Sequence, residues 1–261
     1  EKVRWKKKWK GWGNPVSTNG SKRIGIGFAY SGYEGGFCFS GYHTVTVVMH
    51  PDGSLSVLIG TPDIGQGSHR SLIAMAAEYL GLSLEDVRLV TEDTSIGQFD
   101  IFGAKASRQT TTGGYLMIKA IDKIKDEIRK IAAPKLNAKP EELEVKAKKV
   151  YVKSNPEKAI PIAQLLTTSL VASSWGPPGA VFIDPVPGVM PRNCMAMVAE
   201  VEVDVETGEV KLLNLTTGNN PGKAVNLGMV RGQYTGGAVM SAGYALWEKF
   251  YYDETVSYTH L

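Results

Sequence analysis

The chain has 261 residues, of which 43% are hydrophobic and 21% charged, enough to bury a large core and ordinary for a globular protein. No apolar run approaches the roughly 18 residues needed to cross a bilayer. The net charge of +3 is local: residues 1–10, EKVRWKKKWK, hold six basic residues and one acid, leaving 23 basic against 25 acidic downstream, so no basic stripe continues and nucleic-acid binding is not expected.

In chain order, the basic stretch with Trp5 and Trp9 opens a lead-in and linker over 1–40. It reads as a solvated segment packed through its tryptophans. HTVTVVM (43–49) and SLSVLI (54–59) alternate around Pro51-Asp52-Gly53, which predicts a β-hairpin. Leu72, Ile73, Ala76, Ala77 and Leu80 then recur at helical spacing, with Gly81 as the stop. VRLVT (87–91) predicts a strand, followed by a polar loop over 92–106 in which Asp93 starts an Asx-type turn. Met117, Ile121, Ile124, Ile128 and Ile131 predict a long amphipathic helix, capped by Ser107 and ended by Pro134.

LEVKAKKVYVKS (143–154) predicts a second hairpin, and 161–168 a short helix. Residues 174–193 carry Pro177, Pro178, Pro185, Pro187 and Pro191 and read as a linker. A third hairpin is expected over 195–204 and 209–217 around Glu206-Thr207-Gly208, and a helix over 229–250. Gly232, Gly236, Gly237 and Gly243 thin that helix at roughly 1 kcal/mol each, which suits a close approach of another backbone or a ligand. The expected class is α+β, hairpins packed with helices. Its first αβ part spans 41–173, and its second 194–254.

Both ends look cut. The chain opens on charged residues without Met, and TVSYTHL (255–261) is what the transposase recognition end used in sequencing libraries encodes when read in frame. The natural sequence is expected to stop near Glu254. Cys38 and Cys194 form no CxxC pair, so the chain's own cysteines build neither an iron–sulfur cluster nor a zinc ribbon. Two buried thiols in a reducing, cytoplasmic setting are expected. His43, His50 and His69 are not at ligand spacing and read as surface or hydrogen-bonded histidines.

Two glycine-bearing loops lead into helices: Gly65-Gln66-Gly67 before Ser68, and Gly103-Ala104-Lys105-Ala106-Ser107 before the long helix. Helix N-termini attract anions, and small residues let a phosphate or flat heterocycle approach. The amide of Gln66 offers a donor and an acceptor together, suited to the edge of a pterin or nucleobase. Neither loop is a Walker A or dinucleotide fingerprint. Two readings stay open, a phosphate-bearing organic cofactor or tight turns with packing glycines. NLGMVRGQYTGG (226–237) puts Gln233 in a second glycine-flanked setting, which favours the cofactor.

IGTPDIGQGSHRSLIAMAAEYLGLSLEDVRLVTEDT, GAKASRQTTTGG, and the run from AEVEVDVETGEVKLLNL through NPGKAVNLGMVRGQYTGGAVMSAGYALWEKFYYDE together resemble the molybdopterin-binding large subunit of the xanthine dehydrogenase and aldehyde oxidase family, over roughly 20–254. The resemblance implies much of the second molybdenum-binding domain, with an α/β hammerhead and the first molybdenum-binding domain upstream. It implies that Gly65, Gln66 and Gly67 contact the pyranopterin. Ala104, Lys105, Ala106 and Ser107 would hold the cofactor phosphate, and Gln233 would lie near pterin and metal. The implied cofactor is molybdopterin, in plain form or as the cytosine dinucleotide.

The implied reaction is oxidation of an aldehyde, N-heterocycle or related substrate with water-derived oxygen. Electrons would leave through 2Fe–2S clusters and FAD on partner subunits or fused domains of a hetero-oligomer. The family's catalytic glutamate falls beyond residue 261, so no base is assigned. Asn220-Pro221-Gly222, Asn226-Leu227 and Arg231 depart from the family pattern. A non-catalytic scaffold that kept the fold is the alternative.

Overall fold

The computed structural model describes residues 3–34, 43–91, 93, 95, 98, 100, 103–105, 107–176, 192–252, 254 and 258–259. In chain order these form α1 (Trp5–Lys8), β1 (Ser17–Asn19), β2 (Lys22–Glu34), β3 (His43–Met49), β4 (Leu55–Ile59), α2 (Ser68–Leu80) and β5 (Val87–Thr91). Then come α3 (Gly114–Leu136), β6 (Leu143–Lys146), β7 (Lys149–Val152), β8 (Asn155–Pro161), β9 (Leu170–Gly176), β10 (Arg192–Asp204), β11 (Val210–Asn220), α4 (Leu227–Leu246) and the short pair β12 (Tyr251–Tyr252) and β13 (Tyr258–Thr259). The fold is α+β, as expected. Two compact units result, one of residues 34–191 and one of 1–33 with 192–261.

In the 34–191 unit, β3 and β4 make the expected antiparallel hairpin, turned at Gly53 with φ of 81°. The four-stranded sheet runs β5-β4-β3-β9, and its parallel β4–β5 pair is bridged by α2. Alternation buries Leu55, Val57 and Ile59 on one face, against Leu72, Ala76 and Leu80 of α2 and Met117, Ile121, Ile124 and Ile128 of α3. Gly81 ends α2 in the left-handed conformation expected of a C-terminal glycine.

Pro134 does not end α3. It sits inside the last turn, where losing one N–H is tolerable, and Asn137 with φ of 42° makes the stop. The β6–β7 hairpin turns through Ala147 and Lys148, both left-handed, a two-residue turn matched to strand twist. A third strand, β8, joins β7, and the helix expected over 161–168 is a single 3₁₀ turn at Ile162–Gln164. The Pro-rich linker is shorter than read: residues 174–176 complete β9, and 192–193 begin β10. Its five prolines lie outside the described residues.

In the other unit, the sheet runs β1-β2-β10-β11. The stretch read as lead-in thus contains two strands. The β10–β11 hairpin is longer than expected and carries a bulge between Glu200 and Val201. Trp5 stacks on Trp9 at 5.0 Å and meets Phe28 edge-on, so the basic segment is packed through its tryptophans, and Lys8 pairs with Glu200 at 2.5 Å. Cys194 is exposed rather than buried, beside the Tyr30 hydroxyl at 3.1 Å; Cys38 lies outside the described residues. No helix among the described residues is long and apolar enough to cross a membrane.

Candidate functional site

The first loop descends from β4 through Thr61, which is fully buried. Gly65 and Gly67 take φ of 105° and 76°, conformations that only glycine adopts without strain. Their N–H groups do not face outward. Asp63 Oδ1 accepts from Gly65 N at 2.9 Å and Gly67 N at 3.2 Å, and Oδ2 accepts from His69 N at 3.2 Å. The N-terminus of α2 therefore already holds an anion, supplied by the chain. Of the two helix N-termini expected to bind phosphate, this one is filled.

The Gln66 amide is also turned inward. Its oxygen accepts from Ile64 N at 2.8 Å, and its nitrogen donates to Ser68 Oγ at 2.9 Å and to Pro62 O at 3.4 Å. Gln66 holds the loop's shape while staying half-exposed.

The second loop is built differently. Gly103 has φ of 62°, and Lys105 N donates to Gly103 O at 3.1 Å. Lys105 and Ser107 are exposed, and Ala104 is half-buried; Ala106 lies outside the described residues. Ser107 is not an N-cap. Its φ of 55° is left-handed, where a cap residue is extended, and Thr111 Oγ1 donates back to its carbonyl at 3.2 Å. Between Ser107 and α3 the chain makes a π-helical segment at Gln109–Gly113, a widened turn often found at functional sites.

Beneath both loops runs a buried polar network that the sequence reading missed. Thr61 Oγ1 donates to Asp100 Oδ2 at 2.7 Å, and Arg108 Nη1 pairs with Asp100 Oδ1. Gln109 Nε2 donates to Asp100 Oδ2 at 3.2 Å and Gly103 O at 2.9 Å. Arg108 and Asp100 side chains are both 0% exposed. His43 Nε2 lies 3.1 Å from Thr61 Oγ1. The Thr61 hydroxyl proton is committed to Asp100, so His43 donates from Nε2 and is neutral. Burial lowers its pKa to about 4, with Asp100 opposing and Arg108 assisting. The only hint in the sequence was an Arg directly after the small-residue loop.

Structure therefore brings Gly65–Gln66–Gly67 and Gly103–Lys105–Ser107 onto one support. Gln233 belongs to the other compact unit, exposed on the second turn of α4, which Asn226 caps by accepting from Met229 N at 3.1 Å. No atom comes within 4 Å of where a Cβ would stand at Gly232, Gly236 or Gly237, so among the described residues no backbone makes the expected close approach. His50 bonds Ser56 Oγ at 2.8 Å and His69 bonds Thr61 O at 2.8 Å. No group of metal-ligating side chains occurs among the described residues.

Comparison with known proteins agrees with this architecture. The family profile described as "Molybdopterin cofactor-binding domain" matches residues 1–260. The 6-hydroxypseudooxynicotine dehydrogenase complex subunit gamma of Paenarthrobacter nicotinovorans is 28% identical over 243 residues, covering 89% of this chain and 29% of the relative. The carbon monoxide dehydrogenase large chain of Afipia carboxidovorans is 26% identical over 217 residues, covering 82% and 26%. The chain thus spans under a third of the length of these relatives. Quinoline 2-oxidoreductase from Pseudomonas putida 86 has the same fold, with a TM-score of 0.78 at 22% identity over 92% of this chain and 32% of that one. With the profile running across the whole chain, this protein belongs to the molybdopterin cofactor-binding domain family.

Proposed function

We propose that the 34–191 unit holds the phosphate and one pterin edge of molybdopterin, within a protein that oxidises an aldehyde, an N-heterocycle or a related organic substrate. The observation that carries this reading is the support shared by the two loops, Thr61 and Arg108 meeting on Asp100. The residues fit such a group. Among the described residues, space is open where a Cβ would stand at Gly65 and Gly103, so a flat or phosphorylated ligand meets main chain there. Lys105 and Ser107 add a cation and a hydroxyl at the start of the long helical segment, and Asp63 already fills the other helix N-terminus.

In this reading Ala104, Lys105, Ala106 and Ser107 receive the phosphate. Gly65, Gln66 and Gly67 shape the pterin edge, with Gln66 reaching the ligand by exchanging its contacts to Ile64 and Ser68. Gln233 supplies a second carboxamide. Bound, the cofactor contributes the redox chemistry, and these residues bind and orient it. The cytosine dinucleotide form, 2Fe–2S and FAD partners, and a hetero-oligomer complete the proposal; the relatives' names, "complex subunit gamma" and "large chain", support assembly.

The test is Gln66→Ala, Ser107→Ala and Gln233→Ala in the whole natural protein, with molybdenum and pterin measured together. Both are expected to fall in each variant. Full cofactor in all three overturns the assignment, and an unsubstituted protein that holds cofactor but oxidises no substrate favours a scaffold.

A further inference from the structure

We propose that Asp100 is a positioning residue that couples the two loops, so that a disturbance in one reaches the other. Its relevance to cofactor binding rests on the reading above; the coupling itself rests on geometry. One carboxylate oxygen of Asp100 takes the hydroxyl of Thr61, at the root of the first loop, and the side-chain amide of Gln109. The other pairs with Arg108. Arg108 Nη1 and Gln109 Nε2 then both hold the carbonyl of Gly103, at 3.3 and 2.9 Å, which fixes the start of the second loop.

A buried ion pair is a weak source of stability, because desolvation offsets most of its attraction. It becomes a source of registry where its members also hold backbone, as Arg108 and Gln109 hold the Gly103 carbonyl. Here the ion pair itself is local, Arg108 and Asp100 being 8 residues apart, and the Thr61 hydroxyl, 39 residues from Asp100, ties the first loop to it. Removing any one donor costs a carboxylate that is 0% exposed one of its hydrogen bonds, and the remaining partners shift to compensate.

The experiment places a substitution on one side and reads the other, by amide hydrogen exchange in the 261-residue chain without cofactor. Thr61→Val keeps size and removes the hydroxyl; Gln109→Leu removes one amide. Thr61→Val is expected to accelerate exchange across 103–112 as well as 61–69, by about tenfold, the consequence of one unsatisfied buried hydrogen bond. Gln109→Leu is expected to do the same across 61–69. Amides over 124–133, at the far end of α3, serve as the internal reference and stay unchanged.

Effects confined to the substituted side overturn the coupling, and so does an equal rise everywhere, which is general loosening. Molybdenum content of the whole natural protein is measured in parallel. Cross-loop exchange with no molybdopterin in the unsubstituted protein sinks the cofactor reading and leaves the coupling standing; lost cofactor without cross-loop exchange sinks the coupling alone.

Discussion

The main-chain N–H of His69 donates to Asp63 Oδ2 at 3.2 Å, so the chain's own carboxylate stands on the N-terminus of α2. Burial pushes the Asp63 carboxyl upward, but hydrogen bonds from Gly65, His69 and Gly67 outweigh it and hold the group below the ordinary carboxylate value of 3.8. Asp63→Ala is expected to cost about 1 kcal/mol, the usual loss for an N-terminal cap. A carboxyl with a lowered folded pKa contributes above its unfolded value, and that contribution fades as pH falls through the folded one. Urea unfolding should therefore separate Asp63→Ala from the unsubstituted chain at pH 7 and bring the two together in strong acid. An equal gap at both pH values would refute the carboxylate's role.

His43 gives a dependence of the same sign in a higher pH window. Its folded pKa of about 4 lies below the ordinary 6.5, so between those values the unfolded chain binds the extra proton. Stability is whole above pH 6.5 and is lost as pH falls toward 4, by about 3 kcal/mol if the full shift is expressed. The cause is visible: among the described residues a proton on Nδ1 would be buried with no acceptor. Unfolding free energies measured from pH 7 to pH 4 should slope steeply, and His43→Asn should flatten that part of the curve. An unaltered slope in the variant would mean that another group titrates there.

On the far side of α3, Lys125 Nζ meets Glu144 Oε1 at 2.7 Å, and Arg129 Nη2 stands 3.7 Å from Oε2. Burial raises the Glu144 pKa, while the hydrogen bond and charge of Lys125, with Arg129, lower it further than burial raises it. Removing the acid strands a lysine whose side chain is only 8% exposed. Glu144→Gln is expected to cost about 1–2 kcal/mol, and Lys125→Met under about 1 kcal/mol, since an apolar chain replaces a buried cation well. Chemical denaturation of both singles and the double variant checks the order; a costlier Lys125→Met would show that the pair stabilises in its own right.

How much of this was legible in the sequence follows the range of the interactions. The α3 ladder of Met117, Ile121, Ile124 and Ile128 and the β3–β4 hairpin are local patterns, and both stand as read. The strand β2 was missed because Gly25, Gly27 and Gly32 interrupt its alternation, and its place in the sheet beside β10 comes from a partner far along the chain. Gly65 and Gly67 announced a loop, but whether their N–H groups face a ligand or Asp63 depends on a side chain two residues earlier that equally suits a turn. Arg108 drew no notice in the sequence. Only the folded chain brings Asp100 and Gly103 around it.

Two adjacent glycines offer the sharpest test of how tightly the site is built. A Cβ on Gly113 would stand 3.0 Å from His43 Cε1 and 3.2 Å from Ile59 Cδ1; on Gly114 it would meet the tip of Met75 at 2.7 Å. His43 is held by Thr61 and cannot give way without disturbing the network under both loops, whereas the end of a methionine chain swings aside easily. Alanine improves helix propensity by up to about 1 kcal/mol at either position. Overpacking against a fixed ring costs about 1–3 kcal/mol, so Gly113→Ala should be net destabilising while Gly114→Ala is neutral or mildly stabilising. Thermal unfolding of the two variants side by side decides it: equal melting temperatures would mean that His43 is free to move, and that the support beneath the loops is softer than its hydrogen bonds imply.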